Sequence, residues 1–133
     1  KRTLSKWSLT TQFNSDAQTD GSVQMYDGSS YGAGHARNMA VLQSSGTFLC
    51  FQDADDIMYP RRIASQLALL RSSPFANSTL VGANFIRTPV TSTPRYTDWC
   101  NSLTSQELYH QHLRELTLIQ PTWFCHRDVF TAV

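Results

Sequence analysis

Residues Phe48-Leu49-Cys50-Phe51 form an unbroken apolar run, and the next five positions deliver three carboxylates, Asp53, Asp55 and Asp56. No other stretch constrains the fold as tightly. A short apolar run bounded by Gly46 and Pro60 predicts a strand over 47–52, buried on both faces of a sheet. Crowded carboxylates repel one another and resist leaving water. The chain must therefore reach solvent as soon as the strand ends. A divalent cation would relieve the repulsion, so the cluster reads as a metal and phosphate-sugar site.

The flanking sequence supplies helices. Ala36, Met39 and Ala40 fall at i, i+3 and i+4, which predicts a helix over 35–45 with a small-residue face lying close on the sheet. Gly46 is placed to end it as a left-handed C′ residue. Pro60 suits the first turn of a second helix. Ile63, Leu67 and Leu70 mark its core side, leaving Arg61, Arg62 and Arg71 to solvent. A further strand is expected over 79–85. Thr104-Ser105-Gln106-Glu107 matches a capping box, which predicts a helix over 105–115. Thr122 to Cys125 reads as the last strand and Arg127 to Val133 as a starting helix. Toward the amino end, 1–12 reads as the end of a helix and Ser22 to Tyr26 as a short strand. Residues 14–21 and 27–34 read as loops, as do 72–78 and 88–94. Alternating strands and helices imply an α/β fold, a mostly parallel sheet flanked by helices. In such sheets ligands bind outside the carboxyl ends of strands, which is where Asp53 to Asp56 lie.

Composition narrows the function classes. The 133 residues suffice for one domain with a core. The formal net charge of +1 argues against a nucleic-acid partner. No apolar run is long enough to span a membrane. The chain begins at Lys1, so it reads as processed, truncated or partial. Cys50, Cys100 and Cys125 are odd in number and contain no CxxC pair, which disfavours a cysteine zinc site. Cys50 and Cys125 read as buried free thiols, and a reducing, cytoplasmic compartment is favoured.

Mg²⁺ or Mn²⁺ is held by one or two carboxylates plus substrate phosphates. At an effective dielectric of about 20, unit charges about 4 Å apart interact by roughly 4 kcal/mol, so a divalent ion there matters. An Asp-x-Asp triplet alone also fits simple helix capping. Its place directly after a buried strand favours the ligand site. Haloacid-dehalogenase-type phosphatases put Asp-x-Asp in a similar position, with the first Asp as nucleophile. They continue with Gly-Thr, whereas this chain continues with Asp56-Ile57. His110 and His112 are two apart on an expected helix and so point to different faces. Trp99 and Trp123 read as aromatic core rather than a sugar platform. Glu107 and Glu115 read as solvated.

With these residues assembled, the chain resembles the inverting family 2 glycosyltransferases of GT-A fold. One patch is Gly32-Ala33-Gly34-His35-Ala36-Arg37-Asn38-Met39-Ala40, followed by Ser45-Gly46. It is similar to the family's G-x-A-R-N-x-(G/A) helix. The other is Phe51-Gln52-Asp53-Ala54-Asp55-Asp56 with Pro60, similar to F-L-D-(A/S)-D-D-x-x-x-P. Gln52 departs from the family's usual Leu, and a polar side chain there needs a partner. Pro121 to Cys125 and the residues after Arg127 resemble an animal subgroup of N-acetylglucosaminyltransferase-like members.

The resemblance implies a GT-A, nucleotide-diphospho-sugar transferase fold, Rossmann-like and incomplete at both ends. Residues 1–133 would be a single partial domain. The implied activity moves a sugar from a UDP-sugar donor to an acceptor hydroxyl on a glycan or protein, with inversion and help from Mn²⁺ or Mg²⁺. Asp53 would contact the donor and Asp55 would ligate the metal. Asp56 would support Asp55 or cap the next helix. Arg37 and Asn38 would lie near the donor or brace the acidic loop. The family's first strand would precede Lys1 and its catalytic base would follow Val133, so no catalytic base is assigned within this chain. A sheet without its first strand exposes an edge, and the chain alone is expected to be inactive and poorly soluble. A non-catalytic binding module on the same fold is the alternative.

Overall fold

A computed structural model describes the backbone of residues 9–10 and all of residues 32–132. Strand β1 (Leu9–Thr10) is followed by α1 (Gly32–Gln43), β2 (Phe48–Cys50) and α2 (Arg62–Arg71). A 3-10 turn (Ala76–Ser78) leads into β3 (Thr79–Val81). Then come α3 (Pro94–Ser102), α4 (Ser105–Gln111), a second 3-10 turn (Gln120–Thr122), β4 (Phe124–His126) and α5 (Arg127–Thr131). The expected strand over Ser22 to Tyr26 and the loop over 14–21 lie outside the described residues. Leu9 and Thr10 are strand where a helix end was expected.

The sheet order is β1-β3-β4-β2, and every described pairing is antiparallel. This corrects the mostly parallel sheet. β2 and β3 do run in the same direction, as their single connecting helix requires. They are not neighbours, because β4 returns between them and runs against both. Leu49 pairs with Cys125, which also pairs with Leu80. Two helices, not one, connect β3 to β4. The connection leaves and re-enters the sheet at the same edge. Helix α3 was missed because its segment is polar and follows a Pro/Thr/Ser-rich loop.

Both sheet faces are covered. On one, Val41 of α1 and Val129 of α5 pack with Leu49, Phe51 and Cys125. On the other, Leu70 of α2 packs with Val81 and Phe124, joined by the half-buried Phe48 and Cys50. Leu103, Leu108 and Leu118 form a third cluster around α4, with Trp99 and Trp123 against it. The two tryptophans are thus partly buried against the core rather than inside it. The buried thiol of Cys125 is pushed up to about 11 by desolvation. Gly82 follows β3 and lies against the Leu118 side chain, whose end would have to shift to admit a Cβ there.

Several helix expectations need correction. Helix α1 starts at Gly32, which has φ +79, and ends at Gln43, earlier at both ends than predicted. Its inward residues are Val41 and the half-buried Arg37 and Met39, so of the predicted face only Met39 turns inward while Ala36 and Ala40 are exposed. Gly46 is not left-handed. Instead Arg127 reaches back, donating from Nη1 to the Val41 carbonyl at 2.9 Å and from Nε to the Gly46 carbonyl at 2.8 Å. A guanidinium on the terminal carbonyls does the work assigned to a C′ glycine. Pro60 precedes the N-cap Arg61 rather than opening the helix. The capping box is present, with Thr104 and Glu107 exchanging hydrogen bonds, but α4 ends at Gln111 instead of Glu115.

Candidate functional site

Strand β2 delivers the acidic segment to the edge where β3 also ends. β4 begins at that edge, so the Gln120–Thr122 turn lies there too. The Phe51 N–H donates to the Trp123 carbonyl at 2.9 Å, carrying the β2–β4 pairing one residue past the strands. The chain then bends. The Asp56 N–H donates to the Asp53 carbonyl at 3.2 Å and closes a turn over 53–56. Asp53 is half-buried, while Asp55 and Asp56 are exposed. Solvent reaches the crowded carboxylates, which meets the electrostatic requirement set by their spacing.

Two arginines hold this turn. Arg37 of α1 donates from Nη2 to Asp53 Oδ1 at 2.6 Å and from Nη1 to Gln120 Oε1 at 2.9 Å. The structure therefore brings Arg37 and Asp53 together, with one carboxylate oxygen already engaged. Arg62 of α2 works from the other side. Its Nη2 donates to the Phe51 carbonyl at 2.8 Å and its Nη1 to Gln52 Oε1 at 3.2 Å. Gln52 Nε2 in turn donates to the Asp56 carbonyl at 2.7 Å. The partner that Gln52 needed is thus present on both ends of its amide. Arg62 was read as solvent-facing, and its inward placement is a correction.

Behind Arg62 lies Gln66, only 4 % exposed. It accepts from Arg62 Nε at 3.0 Å and donates to the Thr122 carbonyl at 2.8 Å and the Val81 carbonyl at 3.2 Å. Sequence reasoning missed both residues because it chose the apolar row Ile63, Leu67, Leu70. Ile63 is exposed. The inward row is Arg62, Gln66, Leu70, spaced four apart, and a Gln between apolar residues on the Leu70 row was the available signal.

Asn38 is exposed on α1 and, among the described residues, makes no hydrogen bond with the acidic turn. Asp55 and Asp56 have no side-chain partner among the described residues. No group of three metal-ligating side chains converges there, again among the described residues. The donor set nonetheless fits a hard cation. Asp55 and Asp56 offer exposed carboxylate oxygens with no partner among the described residues, and Mg²⁺ or Mn²⁺ accepts one or two such ligands with phosphates completing the shell.

At the end of β3, Asn101 clamps Phe85, donating from Nδ2 to its carbonyl at 2.7 Å and accepting from its N–H at 3.1 Å. Arg87 lies over the rings of Phe85 and Tyr96. Tyr96 is pushed up to about 12, chiefly by burial.

The fold is an α/β sandwich with an acidic turn at the carboxyl end of β2. The comparison with known families is specific. The family model described as Glycosyl transferase family 2 matches residues 10–132. The chain belongs to that family, which carries the GT-A fold and transfers sugar from a nucleotide-sugar donor to an acceptor. No solved structure matches the chain. No described helix is long and apolar enough to cross a membrane.

Proposed function

We propose that this chain forms the donor-diphosphate half of a UDP-sugar-dependent inverting glycosyltransferase. The observation that carries the reading is the split of the acidic turn into two kinds of carboxylate. Asp53 is committed to Arg37 at 2.6 Å, while Asp55 stands exposed and unpaired among the described residues. A committed carboxylate is suited to accept hydroxyl hydrogen bonds from the donor's ribose or sugar at a fixed position. A free one is suited to a cation. Asp55 would hold Mn²⁺ or Mg²⁺, which supplies charge neutralisation for the departing diphosphate.

The chain's own residues do the positioning. Arg37 fixes the Asp53 side chain against the Gln120 turn and adds positive charge beside the phosphates. Asp56 lends its carbonyl to Gln52 and its N–H to the turn, and its carboxylate completes the acidic edge beside Asp55. Asn38, exposed on α1 next to Arg37, would contact a bound donor. No described residue is assigned as the base that takes the acceptor hydroxyl's proton. N-acetylglucosamine as the transferred sugar, and affinity with animal β-1,3-N-acetylglucosaminyltransferase-like proteins, follow from the likeness of Pro121 to Cys125 and the α5 segment.

The test is calorimetric titration of UDP into the intact protein with and without Mn²⁺. Wild-type protein should bind in a metal-dependent way, and Asp55→Ala should abolish that dependence while melting unchanged. Unaltered metal-dependent affinity in Asp55→Ala would sink the proposal. Metal-dependent UDP binding without any sugar transfer would identify a binding module instead. The 133-residue chain alone should turn over no UDP-sugar.

A further inference from the structure

We infer that Gln52 and Arg62 are positioning residues that set the shape of the acidic turn, and with it the metal affinity of Asp55. The inference rests on the proposed role of Asp55 as metal ligand. Among the described residues, neither bonds to a carboxylate. Both act on backbone instead. Gln52 Nε2 donates to the Asp56 carbonyl at 2.7 Å, which fastens the far end of the turn to its own strand. Arg62 holds the near end through the Phe51 carbonyl at 2.8 Å and holds Gln52 itself at 3.2 Å. Asp53 to Asp56 are thus clamped on both sides of Asp55, whose carboxylate has no partner among the described residues.

The clamp is anchored in the core. Arg62 Nε donates to Gln66, and Gln66 donates to the carbonyls of Val81 and Thr122. A shift of the acidic turn must disturb β3 and the entry to β4. The exposed turn accordingly inherits the rigidity of a buried network. An outer partner that orients a ligand commonly matters about 10–100-fold in metal affinity.

Two variants separate shape from charge. Gln52→Leu removes the fastening while keeping size and net charge. Arg62→Lys keeps the charge but lacks the fork that reaches Phe51, Gln52 and Gln66 together. Each is compared with wild-type intact protein by Mn²⁺ titration of UDP binding and by hydrogen exchange at the Asp56 amide. Arg71→Lys, at the exposed end of α2, is the control. With melting temperature held, the half-saturating Mn²⁺ concentration should rise about tenfold in both variants. The Asp56 amide should exchange faster in both, and the control should match wild type. Wild-type metal dependence and wild-type exchange in Gln52→Leu would overturn the inference. If wild-type protein shows no metal-dependent UDP binding, the donor-site reading fails. The amide exchange rates then decide alone whether Gln52 and Arg62 shape the turn.

Discussion

The two arginines that meet the acidic turn differ in what they touch. Arg37 reaches a carboxylate side chain from α1, in a pair whose side chains are 23 % and 37 % exposed. Arg62 reaches backbone from α2 and leans on the buried Gln66. The first contact is a surface ion pair, a kind that contributes roughly 0–1 kcal/mol to stability. The second belongs to a buried polar network, whose groups cost about 1–3 kcal/mol each when left unsatisfied. One brace sets where a charge sits. The other sets the shape of the peptide that carries it. A site of this kind needs both, because a correctly folded turn with a wandering Asp53 and a fixed Asp53 on a loose turn fail differently.

The largest effect should come from the interior brace. Gln66→Leu leaves the Thr122 and Val81 carbonyls and Arg62 Nε without this partner, and should cost about 2–4 kcal/mol of unfolding free energy. Urea denaturation of the intact protein measures it. A cost below that of a surface substitution would erase the distinction between the two braces. Arg37→Ala should fall at the other end, within about 1 kcal/mol in the same experiment, yet weaken UDP binding. Loss of stability without loss of binding would assign Arg37 a structural role. The smallest effect concerns Cys50, beside Arg62. Burial raises its thiol, and the Arg62 guanidinium partly offsets that. Arg62→Gln removes the cation, so the pH midpoint for alkylation of Cys50 should move upward. An unmoved or lowered midpoint would mean that the guanidinium does not act on that side of the strand.

The contrast also marks what sequence could reveal. Crowded Asp residues after an apolar run announce a solvent-facing turn, because no other placement satisfies their charge. Arg37 and Asp53 belong to two recognisable patches, and the structure joins them. Gln52 could be flagged as needing a partner, but sequence alone could not supply Arg62. Arginine is read as a surface residue unless something shows what it would meet, and here the partners are backbone carbonyls, which carry no sequence signature. The same blindness affected the sheet. Strand, helix, strand correctly implied that β2 and β3 share a direction. Neither periodicity nor propensity disclosed that β4 would slide between them, since α3 is polar and its helix signal weak. The Thr104 capping box was legible because its two side chains recognise each other three residues apart.

The position of β4 has a consequence for how the protein comes into being. β2 and β3 are separated in the finished sheet and meet only through Phe124 to His126. Arg127, directly after, fastens the end of α1 across 86 residues of chain. During synthesis the acidic turn would leave the ribosome well before the strand that gives it a frame. Its helices must wait, with apolar faces open, for a short segment near residue 125. Such distant pairings slow folding and lengthen exposure to wrong partners. Chaperone binding to nascent chains that expose β2 and β3 should therefore weaken when β4 has also left the ribosome.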